Sequence, residues 1–314
     1  MNETFLQQID DYVALRRGLG TRLVQQGPLL RDFGRFLDNA GHTGPITMEL
    51  ALHWAQAPRS KGPDQTARRL GAIRGFLRHR SAFDPATAVP APDLLGSGIR
   101  RRPPHIYSDA EVKTLQQQCA TLRPRQGLRP HTNRTLFGLL FASGLRISEA
   151  FHLDNVDVDL VEGVVTVRNG KFGKSRLVPL HPTAIPPLQH YVAHRDSVVP
   201  HADAFFRTER HVRLSHTEVR SAFDALRKRL GWTSQGRARR PRVHDARHTF
   251  AASCLVRWYR EGVHPDCRIA HLATYLGHVE VRDTYWYLTA VPELAALASQ
   301  RFEHFAASSQ EVGR

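Results

Sequence analysis

Four short stretches of the sequence place chemically capable side chains at spacings that regular elements could exploit. They are Gly144-Leu145-Arg146-Ile147-Ser148-Glu149, Gly170-Lys171-Phe172-Gly173-Lys174, His244-Asp245-Ala246-Arg247-His248, and Leu276-Gly277-His278, which is followed by Tyr285 and Tyr287. A guanidinium stays protonated and its planar fork grips two oxygens at once, so Arg146 and Arg247 suit a phosphate. Arg146 follows Ser143 and Gly144 at a turn between helices, where it either faces a phosphate or pairs with Glu149 three residues on. His244 and Arg247, three apart at a helix start, share one face. His244 and His248 are four apart, the spacing of an HExxH zinc pair with Asp245 in the place of the base. Arg247 lies between them, however, and no third ligand is evident. Gly277 can end one helix and aim His278 at the next segment.

The elements that would position these residues follow from apolar periodicity. Between Phe5 and Phe83 apolar residues recur at helical spacing, as in Leu29, Phe33, Phe36, Leu37 and Leu70, Ile73, Phe76, Leu77, which predicts a small helical bundle. From Asp84 to Pro104 five prolines interrupt the chain, so this reads as a linker, with Arg100, Arg101 and Arg102 near its end. Ser108 to Glu111 matches a capping box that opens a second domain. A helix is expected over about Asn133 to Ala142. A hairpin then runs through Val164, Val165 and Val167, turns at Asn169 to Gly173, and returns through Leu177, Val178 and Leu180; Val156 to Leu160 is a candidate third strand. From Pro182 onward the chain reads as helical, with helices over Thr217 to Leu230, Asp245 to Glu261, Asp266 to Leu276 and Pro292 to Phe305. The fold class is mainly α with a small antiparallel sheet, an α+β arrangement.

Taken together and in this order, the four stretches resemble the tyrosine recombinase (phage integrase) family. The resemblance covers roughly residues 105 to 305, and it implies a helical, SAM-like core-binding domain over 1–98, a basic linker over 99–107 and a catalytic domain over 108–314. It also implies a reaction. A tyrosine oxygen attacks a DNA phosphodiester, a 3′-phosphotyrosine forms and a 5′-hydroxyl leaves. The ester keeps the bond energy, so no cofactor and no metal are called for, and cationic donors must stabilise the phosphoryl oxygens. On this pattern Arg146 and Arg247 are the phosphate clamps, Lys171 is the general acid with Lys174 as its rival, and His244 and His278 complete the site. His244 would accept the phenol proton. The family spacing from His278 selects Tyr287 over Tyr285 as nucleophile. Lysine and phenol pKa values near about 10 mean that both groups need help from their surroundings.

Composition agrees with a polyanionic partner. Forty-four Lys and Arg against 29 Asp and Glu leave a formal charge of +15, which favours phosphate neutralisation and counterion release. Hydrophobic residues at 41% and charged residues at 23% exclude wholesale disorder and collagen-like chains. The DNA-contact candidates are Arg68 and Arg69 in the first domain, the linker cluster Arg100, Arg101 and Arg102, the hairpin residues Lys174 and Arg176, and Arg237, Arg239, Arg240 and Arg242 before His244. The three cysteines form no CxxC pair and indicate neither a disulfide framework nor a thiolate metal site. The start MNETFLQQIDDY lacks a signal-peptide pattern and no membrane-length apolar run occurs, so a cytoplasmic, nucleoid-associated protein is expected.

The expected partner is double-stranded DNA, with no membrane contact. Leu294, Leu297, Phe302 and Phe305 form an apolar stripe after Pro292 that either docks on a neighbouring subunit, giving a homotetramer on DNA, or folds back on its own domain. Two other function classes stay open at this point: a non-catalytic DNA-binding protein on the same fold, and a zinc hydrolase using His244 and His248.

Overall fold

The computed structural model describes residues 3–21, 23–57, 63–95, 103–168, 175–200, 203–233 and 240–290, together with Glu293, Leu294, Ala296 and Ser299. The chain divides into two compact units, Met1–Arg101 and Arg102–Arg314.

The first unit contains α1 (Phe5–Gly18), α2 (Gln26–Asn39), α3 (Met48–Gln56) and α4 (Pro63–Ser81). Thr4 and Thr47 cap α1 and α3 by accepting from the amides of Gln7 and Leu50. Their apolar stripes meet in one core, where Ile9, Phe33, Leu37, Ile73 and Leu77 are fully buried. Arg69, expected from sequence as a DNA contact, is buried against that core. Its guanidinium lies 4.0 Å above the Trp54 ring and donates to the Trp54 carbonyl at 3.0 Å and to Asp32 at 3.2 Å. An aromatic face and a carboxylate satisfy this cation within its own unit. Arg68 beside it is exposed.

The second unit holds α5 (Asp109–Gln118), α6 (Leu128–Ser143), α7 (Ile147–Phe151), strands β1 (Val158–Asp159), β2 (Val164–Val167) and β3 (Arg176–Pro179), then α8 (Ile185–Val198), α9 (His216–Arg229), α10 (Asp245–Arg260), α11 (Ile269–Leu276) and α12 (Arg282–Ala290). The sheet is antiparallel in the order β1-β2-β3, with Val165 opposite both Val158 and Val178. Val165, Val167 and Val178 point into the core and their neighbours point out, the alternation of a half-buried hairpin. Residues 169–174 between β2 and β3, which include Lys171 and Lys174, lie outside the described residues.

The capping box expected at Ser108 and Glu111 is formed and opens α5. α6 begins earlier than the expected Asn133 because Pro130 sits in its first turn, where no amide donor is needed. Tyr107, read from sequence as the end of the linker, is a buried core residue of the second unit. Its hydroxyl donates to the Arg242 carbonyl at 2.9 Å and its amide to Thr249 Oγ1 at 3.0 Å. The segment expected as one helix from Asp266 is a single 3₁₀ turn, Pro265–Cys267, followed by α11. Most of the expected helix from Pro292 to Phe305 lies outside the described residues, although Leu294 is buried in a cluster with Leu255, Leu272, Leu276 and Tyr287.

Candidate active site

Two glycine stops build the floor of the site. α6 ends at Gly144 (φ +61) and α11 ends at Gly277 (φ +67), both left-handed. Both are also crowded. A Cβ at Gly144 would come within 2.5 Å of the Phe250 ring, and one at Gly277 within 2.9 Å of Arg176 Nη1. Arg146 follows the first stop, with Nη1 donating to Glu149 Oε1 at 2.7 Å and Nη2 to the Gly277 carbonyl at 3.0 Å. Arg247, in the first turn of α10, donates to the Gly144 carbonyl at 2.9 Å and to the Leu276 carbonyl at 2.5 Å, and is 3% exposed.

Glu149 anchors this floor. Its carboxylate accepts from Arg146, from the Arg146 amide at 2.9 Å, and from both ends of Arg176 at 3.1 and 2.8 Å, while Arg176 Nε donates to the Tyr275 carbonyl. Burial alone would push the Glu149 carboxyl up; the Arg176 and Arg146 hydrogen bonds outweigh it and hold the group at about 2. Arg176 is therefore placed as a structural clamp, where the sequence reading made it a DNA contact. A buried carboxylate between two cations needs both of them to repay its desolvation.

Above this floor stand three histidines and a tyrosine. Tyr287 is 2% exposed, its ring packed with Leu255, Leu272 and Leu276. Its hydroxyl lies 3.1 Å from His248 Nδ1. The His278 ring stacks on it at 6.4 Å between centroids, with His278 Nδ1 held at 2.7 Å by the buried Thr284 hydroxyl. His244, at the start of α10, stands edge-on to His248 at 5.0 Å. Tyr285 points elsewhere, 42% exposed and donating to Asp266 at 3.2 Å.

The electrostatics match the geometry. Burial and the Arg146 charge push Arg247 down to about 10. Burial, then surrounding cations, push His248 down to about 3 and His278 to about 4, and lower His244 in the same way. All three imidazoles are thus neutral near pH 7. Burial raises the Tyr287 phenol, while Arg247 and Arg146 pull it back. Converged cations, neutral imidazoles and a phenol can receive an oxyanion and bring an oxygen nucleophile to it.

Of the sequence candidates, Arg146, Arg247, His244, His278 and Tyr287 are brought together. Lys171, Lys174, Arg100, Arg101, Arg102, Arg237 and Arg239 lie outside the described residues; Arg240 is exposed, and Arg242 donates to Asp245 at 2.7 Å. Three contributors were not found from sequence in these roles. Glu149 was weighed only as a surface partner of Arg146, His248 only as a zinc ligand, and Thr284, six residues beyond His278, left no signal. The zinc reading finds no third ligand among the described residues, where no group of three His, Cys, Asp or Glu side chains could hold a metal, and His248 Nδ1 is engaged by Tyr287. No described helix is long and apolar enough to cross a membrane.

Residues 107–293 match the phage integrase family. The integrase/recombinase y4rB of Sinorhizobium fredii is 41% identical over 96% of this chain and 97% of its own length. The tyrosine recombinase XerC of Pelobacter propionicus is 28% identical over 82% of this chain and 81% of its own. Among solved structures, the Tn1549 transposon integrase in complex with transposon right end DNA superposes with a TM-score of 0.66 at 17% identity, covering 95% of this chain and 99% of that one. The XerH site-specific recombinase bound to difH substrate in a post-cleavage complex gives 0.62 at 16%, covering 90% and 80%. These two likenesses are likenesses of fold.

Proposed function

Because the chain belongs to the phage integrase family, we propose that it is a DNA recombinase that cleaves and rejoins strands through a covalent 3′-phosphotyrosine at Tyr287. One observation carries the reading: Arg146 and Arg247 are tied to the same two glycine turns, and the phenol buried beside them feels both charges. Tyr287 Oη attacks phosphorus and the bond to the 5′-oxygen breaks. Arg146 and Arg247 neutralise the non-bridging oxygens, His278 supports the same phosphoryl group, and Lys171 protonates the leaving oxygen.

Strand exchange joins two duplexes at four cleavages, so four protomers act together on double-stranded DNA, linked through the segment after Pro292. The first unit and the arginines at 100–102 grip the duplex, supplying the sequence-independent part of the affinity.

The test is covalent capture, in excess chelator, of a nicked duplex carrying the ends of the genomic element that encodes the protein. Wild type and Tyr285→Phe should form the adduct and Tyr287→Phe should not. An adduct that survives in Tyr287→Phe, or one that magnesium alone restores, overturns the reading.

A further inference from the structure

Among the described residues, the histidine within hydrogen-bond distance of the proposed nucleophile is His248, at 3.1 Å from Nδ1 to Tyr287 Oη. The other two histidines are placed for other work. His278 lies face to face with the Tyr287 ring and its Nδ1 is committed to Thr284. His244 stands one helical turn before His248 and meets that imidazole edge-on. A neutral imidazole has one acceptor nitrogen and one donor, whereas an imidazolium has two donors. Burial among the cations Arg247 and Arg242 keeps His248 neutral, so the nitrogen facing the hydroxyl is free to accept.

We infer that His248, and not His244, holds the proton of the Tyr287 hydroxyl: its Nδ1 accepts the phenol hydrogen bond, aims Oη, and takes the proton as the O–P bond forms. This rests on Tyr287 being the nucleophile. The step balances: the phenol proton moves to Nδ1, the bond between phosphorus and the 5′-oxygen breaks, and the leaving oxygen takes a proton from Lys171. Religation reverses each movement and returns the proton from Nδ1 to the phenol. An imidazolium beside Arg247 is disfavoured until a phosphate supplies the opposing charge, so His248 holds the proton only while the substrate is present. His244 then acts on His248, edge to face, rather than on the tyrosine.

Two variants and one spectroscopic measurement test this. His248→Asn keeps an acceptor oxygen on a shorter side chain; His248→Phe fills the space with none. In single-turnover capture of the nicked duplex, His248→Phe and His248→Asn should both form adduct about 100-fold more slowly than wild type, because an amide oxygen accepts the hydrogen bond but cannot take the proton, with equal DNA affinity for all three. Without DNA, nitrogen NMR of the full-length protein labelled at histidine should show His248 Nδ1 as an unprotonated acceptor whose resonance shifts in Tyr287→Phe. A His248→Phe or His248→Asn rate equal to wild type, or a protonated Nδ1, overturns the inference. A wild-type protein that forms no adduct at all would instead count against the proposed reaction, and the NMR measurement would still decide whether His248 accepts from Tyr287.

Discussion

Arg146 donates to the carbonyl of Gly277 while Arg247 donates to the carbonyls of Gly144 and Leu276, so the two cations are cross-tied through the two glycine turns that carry the site. The Gly277 turn therefore holds both guanidiniums, and the Gly144 turn, which Arg146 follows, holds Arg247 as well. The cost of holding like charges together shows in Arg247, whose pKa burial and Arg146 bring down to about 10. Backbone carbonyls offset part of that cost, and an oxyanion arriving between the guanidiniums would relieve the rest.

Arg247→Ala should lower the rate of adduct formation by roughly 10²–10³-fold while changing DNA affinity little. Arg247→Lys should not rescue it, since a single ammonium cannot replace a planar fork already spanning two carbonyls. Neutralising Arg100, Arg101 and Arg102 should do the reverse, weakening binding and flattening its dependence on salt. Rate and affinity measured side by side separate the two; an equal loss of affinity from both would make Arg247 an ordinary backbone contact.

Glu149 should make part of the stability acid-sensitive. Its folded pKa of about 2 lies below the ordinary value of 4.5, so the contribution is present above 4.5 and disappears as pH falls from there towards 2. The difference corresponds to about 3 kcal/mol. Glu149→Gln should lose stability on that order at pH 7 and show a shallower decline between pH 4.5 and 2 in denaturant unfolding. A variant with the same acid limb as wild type would remove Glu149 from that role.

The two left-handed positions Gly144 and Gly41 share φ +61, yet a Cβ at Gly41 would meet nothing within 4 Å and one at Gly144 would meet Phe250 at 2.5 Å. Gly41→Ala should therefore cost only the backbone penalty of about 1–2 kcal/mol. Gly144→Ala should cost more and should also depress cleavage, because the Gly144 carbonyl holds Arg247. Denaturant midpoints of the two variants give the comparison directly, and equal midpoints would show that Phe250 yields freely.

Ending the chain after Val291 should leave a protein that binds a single half-site as a monomer but cannot pair sites. Because Leu294 is buried in its own unit, some stability should be lost as well. Sizing the DNA complexes decides the matter: four-subunit assemblies formed by the shortened protein would exclude this segment as the link.

Residue type and spacing determined much of this protein. Apolar periodicity located the helices because a helix must turn one stripe inward, and Gly144 and Gly277 marked stops because few other residues accept their φ. Arg146, Arg247, His278 and Tyr287 could be singled out because their short motifs, in that order, resemble the tyrosine recombinase family, where residue type and spacing alone left each with an ordinary structural reading. What the tertiary structure decided were the pairings between segments far apart in sequence. Arg69 and Arg176 carry the same charge as any surface arginine, and nothing local says that Trp54 or Glu149 will bury them. His248 looks like the outer half of a metal pair until α10 and α12 pack and bring Tyr287 Oη to its Nδ1. Hydrogen bonds spanning 39 and 131 residues, as between His248 and Tyr287 and between Arg146 and Gly277, arise from the closure of the core, and local spacing carries no trace of them.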